Sequence, residues 1–321
     1  MRPDPVQALT ARRPWVAGPV PGDVPHGDMP GDRVRITPAH TAVAATLFPL
    51  VADALVPVLR HSPSARAVVA VAGGSGVGKS EVASVLAFHL RSAGVGTYTL
   101  SGDNYPRRYP AHNDAERLRV FRAGGVVGLV DSGEYTAERA GELRRLMAAG
   151  ADADPGATAS APWLAVYQER GRAALRAYLG TPAEIDFEEL SGVVERFRDG
   201  EATIWLKRMG RTDADLWYDA VDLAPVSVLV IEWTHGLSDH LRGVDVPVLL
   251  HSTPAETLAH RRARNRDGAP DSPFTTMVLE IEQDLLARLA PRAAVVLGRN
   301  GESLPQVRRR APGPADGGDD A

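Results

Sequence analysis

Eight consecutive residues, Gly73-Gly74-Ser75-Gly76-Val77-Gly78-Lys79-Ser80, match G-x-x-x-x-G-K-[ST] without a mismatch. The residue types dictate the chemistry. Glycines let the backbone curl so that successive N–H groups converge on phosphate oxygens. Lys79 supplies a mobile cation for the β and γ phosphates. The Ser80 hydroxyl is a hard oxygen ligand for Mg2+, which keeps several of its waters. The pattern predicts a site for ATP with Mg2+.

Other residues are placed to join this loop. Glu232 directly follows the apolar run Val228-Leu229-Val230-Ile231. A buried strand would deliver that carboxylate opposite the loop, as a further Mg2+ ligand or to orient a nucleophile. Asp103, in Ser101-Gly102-Asp103-Asn104-Tyr105, ends another strand, where it can accept a proton from a substrate hydroxyl. The plainer alternatives are a strand-end Glu facing solvent and an ordinary Asp-Asn turn. Residues 260–268 carry Arg261, Arg262, Arg264 and Arg266, followed by a stretch rich in Pro, Gly and Asp. The four cannot share one helix face; Arg262 and Arg266, four apart, are expected to close onto the phosphoryl group as part of a lid. Lys207, Arg208 and Arg211 are either anion contacts or surface charge. Trp217, Tyr218 and Trp233 either stack on a ring or fill core. His112, His235 and His251 show no metal-ligand spacing.

The elements that must position these groups alternate in type. Residues 66–72 form a short β-branched run before the loop, and residues 81–90 follow with helical spacing, Gly94 ending the helix. The loop thus sits at a helix N-terminus, where the macrodipole favours an anion. Thr37-Pro38 opens a helix toward Arg60. Strands are expected at 95–100, 202–206, 226–231, 246–250 and 293–297. Helices are expected from Asn113 through Arg122, from Thr136 to about 149, and at 161–179, 187–198 and 272–289. A further helix follows Thr253-Pro254. Strand–helix alternation implies an α/β fold, a mostly parallel sheet with helices on both faces, whose ligands bind beyond the carboxyl ends of the strands.

Residues 1–35 are proline-rich and weakly periodic, and residues 305–321 are similar; both read as disordered tails around a domain at 36–304. The 321 residues are 44% apolar and 24% charged, with net charge −4 and no cysteine. That composition suits a globular chain of the cytoplasm, without disulfides, thiol nucleophile or nucleic-acid footprint. The apolar stretch 42–59 carries Asp53 and is broken by Pro49 and Pro57, so a packed helix is expected rather than a membrane span. No internal repeat is present.

These motifs, in this order, resemble the phosphate-loop small-molecule kinases, a group spanning uridine kinase, phosphoribulokinase and adenylyl-sulfate kinase. Asp103-Asn104-Tyr105 is similar to the Asp-x-[Phe/Tyr] of uridine kinases, where the resemblance makes Asp103 the base. Ser101-Gly102-Asp103-Asn104 resembles the Asp-Gly-Asp-Asn element of adenylyl-sulfate kinases, with Ser101 in place of the first Asp. Residues 185–190, Phe197 and Gly200 are similar to the uridine kinase stretch before its acidic strand, whose Glu corresponds to Glu232; residues 258–267 match the arginine-rich lid. The resemblance covers about residues 65 to 300, apart from a helical insertion at about 124–200. It implies a three-layer phosphate-loop fold and transfer of the γ-phosphoryl of Mg·ATP to a hydroxyl of a nucleoside, a sugar or adenylyl sulfate. A nucleotide-hydrolysing switch without an acceptor is the alternative.

Overall fold

β-Branched runs that are buried along their whole length, such as those at 67–73 and 228–232, belong in the middle of a parallel sheet covered on both faces. The structure, a computed structural model, describes residues 4–32, 34–212, 214–253, 256–257 and 272–303. In chain order its elements are α1 (Pro5–Thr10), α2 (Pro38–His61), β1 (Ala67–Gly73), α3 (Lys79–Ser92), β2 (Thr97–Ser101), a 3-10 turn (Gly102–Asn104), α4 (Pro110–Asp131), α5 (Ala137–Ala148), α6 (Leu164–Tyr178), α7 (Phe187–Arg198), β3 (Thr203–Met209), β4 (Leu216–Asp222), β5 (Val228–Glu232), β6 (Val246–Leu250), α8 (Pro273–Leu289) and β7 (Val295–Leu297).

Five strands form one parallel sheet in the order β2-β5-β1-β6-β7. The period-two alternation of side chains divides it between two cores. Val69, Val71, Val228, Val230, Val246 and Val248 pack with α2 and α3 on one face. Val68, Leu100, Leu229 and Ile231 pack with α7 and β3 on the other. Burying one such side chain fully contributes about 1.5–3 kcal/mol. The chain leaves β1 toward β2 on one side and later toward β6 on the other, which puts the topological switch point at the carboxyl end of β1.

Four features differ from the sequence reading. Residues 202–206 belong to β3, which pairs antiparallel with β4 in a separate hairpin, Leu206 opposite Asp219. The proline-rich segment expected to be a tail packs on the domain: Leu9 of α1 is fully buried in the α2–α3 core. The helical insertion is drawn differently, because α4, α6 and α8 share a core of their own around Phe121, Tyr167 and Ile281, whereas α7 covers the sheet. α4 also runs straight through Gly124-Gly125 to Asp131. α2 is long and apolar enough to cross a membrane by length and composition; Leu47, Val51 and Leu55 on it are fully buried against the sheet core, with Pro49 and Pro57 inside the helix.

Candidate active site

The register of the sheet sets the site. Val71, Glu232 and Ser101 are level on β1, β5 and β2. The β1 chain continues past this level into the glycine loop, so loop, Glu232 and Ser101 converge at one edge. Gly78 caps α3 with φ +93°, in the left-handed region, and a Cβ there would stand 2.8 Å from His40 Nε2; only glycine fits both constraints. Lys79 and Ser80 open α3 and are buried.

Ser80 Oγ donates to Glu232 Oε2 at 2.8 Å, and Ser101 Oγ donates to Glu232 Oε1 at 2.6 Å. Glu232 is 2% exposed. Burial, and then the Asp103 charge, push its carboxyl up to about 7, against Lys79 and the two hydroxyls. Asp103 sits on the 3-10 turn after β2 and is exposed. The strand end, the loop lysine and the turn carboxylate expected from the sequence therefore do meet. Gly102 lets the turn lie on Trp233: a Cβ there would fall 2.1 Å from Trp233 Cγ.

A cavity of about 230 Å³ opens beside them, lined among others by Ser75, Lys79, Asp103, Asn113, Arg117 and His235. Its far wall is a polar network drawn from four chain segments. Arg117 Nε donates to Glu184 Oε1 at 2.6 Å, and its Nη2 lies 3.4 Å from Glu282 Oε1. Asn113 Nδ2 and the Gly180 N–H also donate to Glu184, at 3.2 and 2.7 Å. Burial pushes both carboxyls up. At Glu184 the close Arg117 and the Gly180 N–H outweigh it, and the group ends below the ordinary range. At Glu282 burial prevails, and the group ends above it. Burial pushes His235 down to about 4, which leaves a neutral imidazole beside the ionised Glu184. Asn113 Oδ1 is buried and has no hydrogen-bond partner, an unusual state for an interior acceptor. A larger recess lies at the amino ends of the strands, around His61, Arg198 and Asp245. It contains none of this machinery.

Arg208 and Lys207, ambiguous in the sequence, are buried and ion-paired. Lys207 pairs with Glu189 at 3.0 Å. Arg208 is buried and pairs with Asp28 at 2.9 Å and Asp219 at 3.1 Å. Trp233 is core, while Trp217 and Tyr218 are exposed on β4. Arg262 and Arg266, with the arginine-rich lid, lie outside the described residues. Asn113, Arg117, Glu184, Glu282 and Asp28 were not singled out as site residues from the sequence. Apart from Asn113 and Arg117, which are four apart on α4, they lie far apart along the chain, and no spacing signature links the set.

Ser80 and Glu232 offer oxygen ligands of the kind Mg2+ takes. A buried carboxylate whose ionised form is disfavoured by burial is also suited to an incoming cation. Among the described residues no group of three or more His, Cys, Asp or Glu could hold a metal alone. The donor set therefore fits an ion shared with nucleotide phosphates rather than a protein-only cage.

No protein-family model matches the chain. Over 241 residues, 75% of its length, it is 36% identical to the bifunctional alpha-galactosidase/sucrose kinase AgaSK of Mediterraneibacter gnavus. The chain spans only 21% of the length of that relative. Among solved structures, it is similar to a provisionally assigned fructose transport system kinase from Silicibacter sp. TM1040 (17% identity, TM-score 0.45, 74% of this chain and 93% of the other). It is also similar to a provisionally assigned uridine kinase from Bacillus stearothermophilus (14%, 0.38, 77% and 98%).

Proposed function

We propose that the chain is a phosphate-loop kinase that transfers the γ-phosphoryl group of Mg·ATP to a hydroxyl of a small carbohydrate. The observation that carries the reading is one cavity lined by Lys79, an exposed Asp103 and Asn113, with Ser80 and Glu232 joined at its edge. The loop amides and Lys79 bind the triphosphate, and Ser80 and Glu232 hold the metal. Mg2+ bound there supplies neutralisation of charge on the β and γ oxygens. Asp103 takes the acceptor hydroxyl proton as the new O–P bond forms and the bond to the leaving diphosphate breaks. Asn113 accepts from a second, non-reacting hydroxyl and orients the acceptor. Such a kinase works in the cytoplasm, where ATP is supplied.

The acceptor class rests on two supports. The relative's name contains a galactosidase and a sucrose kinase, and a phosphate loop serves the second chemistry. The cavity wall of amide, guanidinium and carboxylates pairs readily with hydroxyls. Adenylyl sulfate is disfavoured because Ser101 is already committed to Glu232. An Asp in its place would set two carboxylates against each other.

The test is incubation with Mg·ATP and, separately, sucrose, fructose, glucose, uridine and adenylyl sulfate. ADP and the phosphorylated product are followed by mass spectrometry. Equal amounts of ADP and sugar phosphate, with little ADP when sugar is omitted, support the proposal. ADP release indifferent to every acceptor would instead favour the hydrolytic switch. Phosphorylated uridine alone would keep a kinase but remove the sugar.

A further inference from the structure

Asp28 comes from the proline-rich segment that precedes the α/β fold, yet it packs against the strand end and turn that carry Asp103. Its side chain is 10% exposed, and both oxygens are engaged. Oδ1 accepts from the Ser101 N–H at 2.7 Å and from Asn104 Nδ2 at 3.2 Å. Oδ2 accepts from the Tyr98 hydroxyl and from Arg208 Nη1, both at 2.9 Å. Asn104 Oδ1 in turn accepts from the Met209 N–H at 3.0 Å. One carboxylate thus grips both flanks of the turn whose exposed member is Asp103. Next to it, a methyl built on Gly27 would stand 3.5 Å from Glu232 Oε1 and 3.8 Å from Ser101 Cβ. The segment therefore lies directly on the carboxylate assigned to the metal.

A buried carboxylate is unfavourable unless its lone pairs are met. Here four donors meet them, and three belong to β2 and the turn it feeds. Burial still raises the Asp28 carboxyl above its ordinary range, with Arg208 opposing. A charge held in this way orients what it binds, as outer-shell partners of reactive groups do.

We propose that Gly27 and Asp28 complete the phosphoryl-transfer site, and that Asp28 is the positioning residue that sets the Asp103 turn; this rests on the kinase reading above. Asp28 acts through Ser101 and Asn104, without touching the acceptor.

The test compares the wild-type chain with Asp28→Asn and Tyr98→Phe, the second a mild change that removes one donor to Asp28. Displacing a reacting group by about 1 Å can cost about a hundredfold. Asp28→Asn should therefore lower kcat for the sugar at least about tenfold, while KM for ATP stays within about twofold. Tyr98→Phe should lower kcat in the same direction by a smaller factor. Amide exchange read by NMR should show Ser101 losing protection in Asp28→Asn while Ile231 keeps it. Wild-type kcat in both variants would overturn the proposal. So would a fall in activity that only tracks the unfolded fraction, or a Ser101 amide that stays protected. If the wild type transfers phosphate to nothing, the kinase reading fails; the exchange at Ser101 still decides whether Asp28 holds the turn.

Discussion

Replacing Glu232 with Gln should stabilise the metal-free protein above neutral pH while abolishing transfer. The Glu232 carboxyl titrates at about 7 in the folded chain against an ordinary 4.5. Between those values the folded state retains a proton that the unfolded chain has lost. Wild-type stability therefore falls as pH rises through that window and levels off above it. At 1.36 kcal/mol per pH unit the loss amounts to about 3 kcal/mol by pH 8. Gln has the same shape, cannot ionise, and still meets the Ser80 and Ser101 hydroxyls, which rotate to suit. Urea unfolding in EDTA at pH 4.5, 6, 7 and 8 gives the stability of both proteins. The variant's advantage should grow by about 3 kcal/mol from the lowest to the highest pH. Titrating groups that do not interact with Glu232 cancel in the difference. A difference that is constant with pH, or one that favours the wild type more at pH 8, would refute the reasoning. Keeping a carboxylate where burial opposes it is the stability–function conflict expected at a reactive site.

Lys79→Ala should leave thermal unfolding near wild type and remove sugar phosphorylation, since the loop loses its phosphate cation; calorimetry with Mg·ATP and a product assay read both. Asp103→Asn should keep ATP binding and lower kcat by about a hundred- to ten-thousandfold; an unchanged kcat would remove Asp103 as the base. Gly102→Ala should destabilise the fold by about 1–3 kcal/mol, because the new Cβ meets Trp233 at 2.1 Å; it should also lower kcat by shifting the adjacent Asp103. Asn113→Ala removes the proposed hydrogen bond to the sugar, worth about 1 kcal/mol, together with the donor to Glu184, so KM for the sugar should rise at least about fivefold with KM for ATP unchanged.

The parts of the molecule legible in the sequence are those specified locally. The loop, β1 and α3 follow from eight residues and their flanks. Glu232 follows from an apolar run that ends in one carboxylate, and Ser272 was readable as the start of α8, whose Thr275 N–H it caps. Where tertiary contacts override local signals, the reading fell short. The helix was expected to run only through Arg122, but Gly124 and Gly125 continue α4 and let it approach α6: a Cβ on them would meet Ala174 Cβ at 2.3 Å and Tyr167 Cδ2 at 2.5 Å. β4 was not foreseen because six of its seven residues are exposed, so no apolar alternation marks it. Asp28 was lost in a proline-rich stretch. Its partners begin 70 residues downstream, and no pattern along the chain announces them. The polar wall of the cavity shares that property, since Arg117, Glu184 and Glu282 meet only after α4, the turn before α7 and α8 have packed.

The most direct measurement is a crystal structure with a non-hydrolysable ATP analogue, Mg2+ and sucrose. The γ-phosphate should lie between Lys79 and Asp103, and the Ser80 hydroxyl should have turned from Glu232 to a metal about 2.1 Å away, with a sugar hydroxyl facing Asp103. A triphosphate bound elsewhere on the chain, or a glycine loop that holds no phosphate at saturating nucleotide, would contradict the account.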